Sequence, residues 1–436
     1  MGIVNYIERE NKFMSEIIQE KAIDTTLSLL QEGYLFMKKR FEKYQTDLFE
    51  TRLFCKKITC IRGKEAAKIF YNPEYFVRKN VAPKRVQKTL TGEKSIQGMD
   101  NLAHTHRKAF FVSLLDSDHA KEIARLIANE WKKQASKWKD KEVVLFDEAK
   151  IVLCKTAYQW VGLSLSDEDL IKECADDLIS MVYSFGAVGK KHWKGLTARK
   201  KTERWISKII EDIRNNKLQI DHNSILYKIV NYKDLNGNLL EENIVAIELI
   251  NIVRPIVAIA TYITFMALAL NEYPEYKDQL ASKDKENLEM FVQEVRRFYP
   301  FTPFVGAKVK KDFIWKDYKF QKGKLVLLDI YGINHDSRIW NNPDQFQPER
   351  FKKWKFDPYE FIPHGGSNPS SGHRCPGEFV TVEIMKTTLD FLVNQITFQV
   401  PKQNLNYNMQ KIPTLPESGF IMNEIKLKIT KSRENI

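Results

Sequence analysis

No cysteine of this chain stands in a CxxC pair, and no His/Cys spacing matches a zinc site. The five cysteines, Cys55, Cys60, Cys154, Cys174 and Cys375, are scattered through 436 residues. That excludes a disulfide-stapled secreted scaffold and points to free thiols in a reducing compartment. Glycine (18) and proline (15) are too sparse for a collagen-like repeat or a low-complexity chain. No block of one charge sign stands out either: 69 basic and 56 acidic side chains leave 69 − 56 = +13, interspersed along the chain. The pattern reads as a solvated basic surface, with a mild attraction to anionic substrates or membrane surfaces as the alternative, and it argues against a nucleic-acid partner. The longest charge-free apolar run, Ile256 to Leu270, is shorter than the ~20 residues of a spanning helix. Met1 to Glu8 has no apolar signal core, and Tyr6 stands where a myristoylation pattern after Met1-Gly2 needs Ser or Thr. The expectation is a soluble, cytoplasmic protein without a stable membrane anchor.

What the chain does have is a 43% hydrophobic, 12% aromatic composition, enough for a large core. Helical periodicity dominates. It predicts helices within Glu16–Tyr44 and over Asp118–Lys139, Leu145–Gly162, Asp167–Phe185, Ala198–Lys217, Lys285–Tyr299 and Gly377–Ile396. Glu241–Asn271 is apolar on nearly every face and predicts a helix buried all round. Thr51–Arg62 and Phe313–Asp329 alternate as β-strands, the latter around a Lys322-Gly323 turn. Asn334–Gly372 has little periodicity and five prolines, Pro343, Pro348, Pro358, Pro363 and Pro369. No internal repeat or linker is visible. The fold class expected is mainly α with a minor β region, as one domain over residues 1–436.

One cysteine has a special setting. Phe361-Ile362-Pro363-His364-Gly365-Gly366 leads to Gly372-His373-Arg374-Cys375-Pro376-Gly377-Glu378 at the start of a helix. A helix N-terminus and basic neighbours, here His373 and Arg374, favour a thiolate. Such a thiolate can ligate haem iron, and the glycines let backbone approach a flat cofactor. A buried structural cysteine is the plain alternative. Two further motifs precede the loop in order: Glu294-Val295-Arg296-Arg297, with Glu and Arg at i, i+3, and Pro348-Glu349-Arg350-Phe351. Together the three motifs resemble those of the cytochrome P-450 superfamily. The resemblance implies that superfamily's fold, a haem b with Cys375 as axial ligand, and a structural triad of Glu294, Arg297 and Arg350. The loop between Gly366 and His373 is longer than in most members.

The long apolar helix departs from the superfamily's usual oxygen-activating members, which carry an acid followed by Thr at its centre. Here Arg254-Pro255 occupies that place. An arginine on an apolar helix is costly to bury without a partner. Pro255 frees the carbonyl of Asn251 and distorts the helix. Arg254 therefore either pairs with a structural acid or takes an anion, and its guanidinium fork suits a carboxylate. With Lys84-Arg85-Val86-Gln87-Lys88, Ile96-Gln97-Gly98-Met99-Asp100, Phe185-Gly186-Ala187-Val188-Gly189, His192-Trp193-Lys194-Gly195 and Phe298-Tyr299-Pro300-Phe301, the chain resembles the fatty-acid peroxygenase family end to end.

That resemblance implies a long-chain fatty acid substrate, hydrogen peroxide as co-substrate and no redox partner. Arg254 would hold the carboxylate, beside Pro255, and the carboxylate would serve as general acid–base in O–O cleavage. Pinning it leaves Cα and Cβ in reach, so 2- and 3-hydroxy acids are expected. Gln97 stands where alkene-forming decarboxylases of the family often carry His. A glutamine cannot donate as an imidazolium does, which favours hydroxylation over decarboxylation. Val182, Phe185, Phe301 and Phe304 resemble the acyl-channel lining, though plain core is the alternative for each. Thr91 stands where relatives often have Phe. His104 and Lys108, at i, i+4, are the implied propionate partners, with Arg78 and His373 beside them. A reductase-dependent monooxygenase, a haem-thiolate carrier and a structural helical protein are the competing readings.

Overall fold

A computed structural model describes residues 15–428 of the chain; the expectation made on Met1 to Glu8 lies outside them. The principal helices are α1 (Asn101–Leu114), α2 (Ser117–Ala135), α3 (Leu145–Val161), α4 (Glu168–Tyr183), α5 (Lys190–Arg214), α6 (Glu242–Glu272), α7 (Lys285–Phe298) and α8 (Glu378–Asp390). Their starts follow local chemistry. The carboxylates of Asp116, Asp167 and Asp284 accept the first free backbone N–H groups of α2, α4 and α7. α5 starts earlier than the periodicity of its sequence indicated, because Gly189, at φ +65°, turns the chain directly into it.

α6 is the axis of the molecule. It packs on α3, α4, α5, α7 and α8, and nearly all its side chains from Ile244 to Leu270 are buried. By length and composition it could cross a membrane, yet 94% of its most apolar stretch is buried inside this protein. The main hydrophobic core forms around it, joined by Trp131 of α2, Tyr158 of α3 and Trp138 from the segment between them. The helix continues unbroken through Pro255.

The β region is a six-stranded sheet in the order β1-β2-β3-β6-β5-β4. Its strands are β1 (Ile18–Gln19), β2 (Leu48–Leu53), β3 (Lys56–Ile61), β4 (Phe76–Val77), β5 (Phe304–Val309) and β6 (Leu325–Asp329). The β-strands expected over Thr51–Arg62 are there as β2 and β3, a hairpin that starts at Leu48 and turns at Phe54-Cys55, both with positive φ. Two expectations are corrected. Glu16–Tyr44 is not one helical stretch: β1 is followed by helices over Thr26–Glu32 and Leu35–Tyr44, split at Gly33. Any side chain at Gly33 would collide with the carbonyl of Met409, so this close approach breaks the helix. And Phe313–Asp329 is one short hairpin, Phe313–Trp315 with Tyr318–Phe320, after which Gly323 (φ +83°) turns the chain into β6 of the main sheet.

Candidate functional site

Two clusters of polar residues stand out in the interior: one at the Cys loop, one on α6. The elements around them are fixed by a saturated ionic knot. Glu294 and Arg297, fully buried on α7, make paired bonds of 2.7 Å, and Arg350 reaches the same carboxylate at 3.2 Å. Arg297 also donates to the carbonyls of Asn334 (2.9 Å), Pro343 (2.8 Å) and Gln345 (3.2 Å). The knot ties α7 to the aperiodic chain that leads into the Cys loop.

The Cys375 amide donates to the His364 carbonyl at 3.0 Å, folding the loop back on itself before α8. Burial pushes the free thiol's pKa up; the Gly377 amide and Lys108 pull it down, but less strongly. The helix start thus favours the thiolate, as expected, but by less than burial opposes it. Arg374 is spent on Glu378 (2.6 and 3.0 Å), which also takes Arg296. His373 lies over His104, ring centroids 4.1 Å apart. A metal ion held by Cys375 would take the thiol as thiolate. Two glycines of the loop also lie close to protein: a Cβ on Gly366 would stand 2.8 Å from the Tyr71 ring and 2.9 Å from the Pro358 carbonyl, and one on Gly365, at φ +88°, 3.0 Å from the Tyr71 hydroxyl. The longer segment before His373 closes on itself, the Gly372 amide bonding the Asn368 carbonyl at 2.8 Å.

α1 runs beside this loop with His104, Arg107 and Lys108 on its buried face, as the i, i+4 spacing indicated. Lys108 donates to the Arg374 carbonyl, and burial pushes its pKa down to about 8. Burial, His373 and Lys108 hold His104 down to about 3, so it is a neutral N–H donor. Asp100 accepts from the amides of Arg78 and Lys79, both at 2.8 Å, and its carboxylate lies 3.7 Å from His373. The half-buried Arg78 guanidinium stacks over Phe70 and Tyr71; among the described residues it has no ion-pair partner. Arg78, His104, Lys108 and His373 thus form a cationic and donor-rich group beside Cys375, with one carboxylate among them. A haem, with a thiolate ligand on one face and two anionic propionates at its edge, fits this donor set.

On α6 the residues Glu248, Asn251 and Arg254 follow at i, i+3, i+6 on one face. Arg254 is 7% exposed. Its one side-chain bond is from Nη2 to the neutral Asn251 Oδ1, at 3.2 Å, and Nε has no acceptor. No carboxylate of the described residues lies in ion-pair range of it. Burial, and secondarily Arg199, pushes its pKa down to about 9; it remains a cation at neutral pH. Glu248, the nearest acid on the helix, is already taken: it accepts from Arg107 and the Ile96 amide, each at 2.9 Å.

Asn251 Nδ2 donates to the Thr91 carbonyl (2.8 Å), to Gln97 Oε1 (3.3 Å) and to Glu248 Oε2 (3.3 Å). Gln97, exposed on the short turn Ile96–Gly98, is thereby linked to Arg254 through Asn251. Asn251, Glu248 and Arg107 went unread in the sequence analysis; the i, i+3, i+6 spacing of polar residues on an apolar helix was the available signal. Pro255, the next residue, is exposed rather than packed. Val182 is buried and Phe185 half-buried at the end of α4. Phe301 stacks on Tyr262 of α6, ring centroids 4.6 Å apart. Phe304 packs instead on the smaller core of Phe36, Met37 and Leu327.

The family model described as Cytochrome P-450 matches residues 27–430. Among curated proteins, the beta-amyrin 6-beta-monooxygenase of Solanum lycopersicum is 22% identical over 414 residues, covering 87% of this chain and 85% of that one. Cytochrome P-450 3A17 of Cavia porcellus is 26% identical over 51% of this chain, which spans about half (47%) of that relative's length. Solved structures are closer. Cytochrome P-450EX alpha with myristic acid superposes with a TM-score of 0.92 at 38% identity, covering 95% of this chain and all of that one. Cytochrome P-450 OleT in complex with arachidonic acid gives 0.93 at 31% identity, over 96% of this chain and all of that one.

Proposed function

This chain belongs to the cytochrome P-450 family, and we propose that it is a fatty-acid peroxygenase that hydroxylates long-chain acids at Cα and Cβ with hydrogen peroxide. The observation that carries the reading is Arg254: a buried cation with no acid partner among the described residues, on the central helix. A buried arginine in that state is an anion site, and the solved neighbours named above hold fatty acids. The whole chain forms one haem-thiolate domain in this reading. Cys375 ligates the iron, and Arg78, His104, Lys108 and His373 receive the propionates. Bound haem supplies the oxidising chemistry.

The chain's own residues do the rest. Arg254 takes the substrate carboxylate in a bidentate grip, with Pro255 beside it. The pinned carboxylate takes a proton from hydrogen peroxide and returns it to the oxygen that leaves as water, replacing the acid-Thr pair that α6 lacks. Because the head group is fixed, the first two methylenes stand nearest the reacting oxygen, and proximity selects Cα and Cβ. Asn251 orients Arg254 and Gln97 through one amide. Gln97 is neutral, so it holds no ionisable proton to drive decarboxylation, and alkene is the minor product. Val182, Phe185 and Phe301 contact the acyl tail; Phe304, packed on the smaller core, is left out of this lining. No reductase is needed.

The test is an incubation of haem-loaded protein with a long-chain fatty acid and peroxide, without NAD(P)H, read by mass spectrometry. Hydroxyl at Cα or Cβ is expected. Absence of product with haem present overturns the reading.

A further inference from the structure

A second buried arginine stands behind the head-group site. Arg199, on α5, is 1% exposed, while Lys194 and Lys200 of the same helix face solvent. Burying a guanidinium is costly unless its donors are taken. Here Nε donates to Glu203, one turn on, at 2.5 Å. Nη1 donates to the Leu90 carbonyl at 2.9 Å, and Nη2 reaches the Thr91 carbonyl at 3.4 Å. Leu90 and Thr91 end the short helical turn Gln87–Thr91, where carbonyls lack partners within the turn. The fit is close. A Cβ on Gly92, at φ +83°, would collide with Nη2 of Arg199 and stand 2.6 Å from Cγ2 of Ile247 on α6.

The Thr91 carbonyl is also the acceptor of Asn251 Nδ2, at 2.8 Å. A carbonyl oxygen has two lone pairs, and this one takes a donor from α5 and a donor from α6. The consequence lies in the Asn251 amide. Thr91 holds its Nδ2 end more closely than Gln97 or Glu248, both at 3.3 Å. That leaves the Oδ1 end for Arg254 Nη2. With the Thr91 carbonyl withdrawn, the amide would be free to turn and set N–H against guanidinium, donor against donor. Arg254 would then lose its one side-chain partner. After burial itself, the Arg199 charge is the main influence disfavouring protonation of Arg254, so the two guanidiniums share one electrostatic neighbourhood.

We propose that Arg199 is a positioning residue of the carboxylate site: it clamps Leu90–Gly92 against α6 and, through the Thr91 carbonyl and the Asn251 amide, aims Arg254. It acts through two intermediaries rather than on the substrate. The proposal rests on the fatty-acid reading given above, in which the angle of the pinned carboxylate decides whether Cα or Cβ stands nearest the reacting oxygen. Arg199 therefore governs the ratio of the two products. Arg214, on the same helix, supplies the contrast. It donates to the Val230 and Leu240 carbonyls at 2.9 and 2.8 Å and to Glu242 at 2.9 Å. Among the described residues, no hydrogen bond carries those contacts on to Asn251 or Arg254.

The experiment compares haem-loaded wild type, Arg199→Ala, Arg199→Lys and Arg214→Ala. Myristic acid affinity is read by spectral titration, and the ratio of Cα to Cβ product by mass spectrometry after incubation with peroxide. Arg199→Ala should weaken binding about tenfold and shift the product ratio at least about threefold. Arg199→Lys keeps the charge but not the fork that spans two carbonyls. It should recover much of the affinity and little of the ratio, and it carries the test if the alanine variant does not take up haem. Arg214→Ala should lower the melting temperature and move neither readout. Affinity and ratio unchanged in the Arg199 variants, or shifted as far by Arg214→Ala, overturns the proposal. If the wild type binds the acid but yields no hydroxy acid, the peroxygenase reading falls, and the affinities alone decide for or against Arg199.

Discussion

Arg297 and Arg254 are both buried on helices of the same core, and they are opposites. Arg297, 1% exposed, has its guanidinium filled by the Glu294 carboxylate and three carbonyls. Arg254, 7% exposed, has one neutral acceptor and an orphaned Nε. Burial alone does not say what an arginine is for. Saturation separates them: a filled guanidinium fixes geometry, and an unfilled one has donors to spare.

Breaking the filled site should have the larger effect on stability. Glu294→Gln leaves Arg297 buried without its counter-charge, and a loss of about 3–5 kcal/mol is expected. Thermal unfolding and haem uptake read it directly; a stability unchanged by the substitution would mean the knot is not what holds α7 to the Cys-loop segment. The unfilled site should behave the other way round. Arg254→Ala removes an uncompensated charge, so the fold should hold, while turnover of a long-chain acid falls about 100-fold or more, equivalent to ~2.7 kcal/mol. Retained turnover with normal haem content would reassign the anion. A fatty acid should raise the melting temperature of the wild type and leave that of Arg254→Ala unmoved, by mass action.

A smaller effect sharpens the link between the two halves of the α6 network. Asn251→Ala frees both Arg254 and the Gln97 amide, and should cost roughly tenfold in kcat/KM, with the product ratio shifted as well. Gln97→His places an imidazole beside the carboxylate, and the alkene fraction should rise a few-fold. The smallest effect is in pH. Burial holds Arg254's folded pKa, about 9, below its ordinary value. The free enzyme should therefore lose affinity for the carboxylate as pH rises through about 9. Over the same window Arg254's contribution to folding stability improves, because the folded state has released a proton that the unfolded state still binds. An affinity flat across that window would contradict the assignment; spectral titration with a fatty acid measures it.

The helices were largely legible because burial stripes and Asp caps are local properties. α2, α3, α4, α6 and α7 stand within a few residues of where periodicity placed them. The start of α5 was missed because a glycine turn, not a stripe, sets it. The break at Gly33 was missed because its cause is a carbonyl about 375 positions away. At the site, Cys375, Arg254 and Gln97 were legible as departures from bland sequence. The electrostatics of the Cys loop were not. Arg374, adjacent in sequence, is neutralised by Glu378, whereas Lys108, remote in sequence, reaches the loop.

By itself, then, the sequence determined which side chains are chemically out of place: a cysteine in a Gly/Pro loop at a helix start, an arginine in an apolar helix, a glutamine in a short turn. Tertiary structure alone decided whether each is satisfied. Partners such as Arg107 for Glu248, or the Thr91 carbonyl for Asn251, lie more than a hundred residues off. Hydrogen bonds and ion pairs act over a few ångströms of space regardless of sequence separation, so only the folded chain shows Arg254 as a buried cation without a carboxylate partner among the described residues.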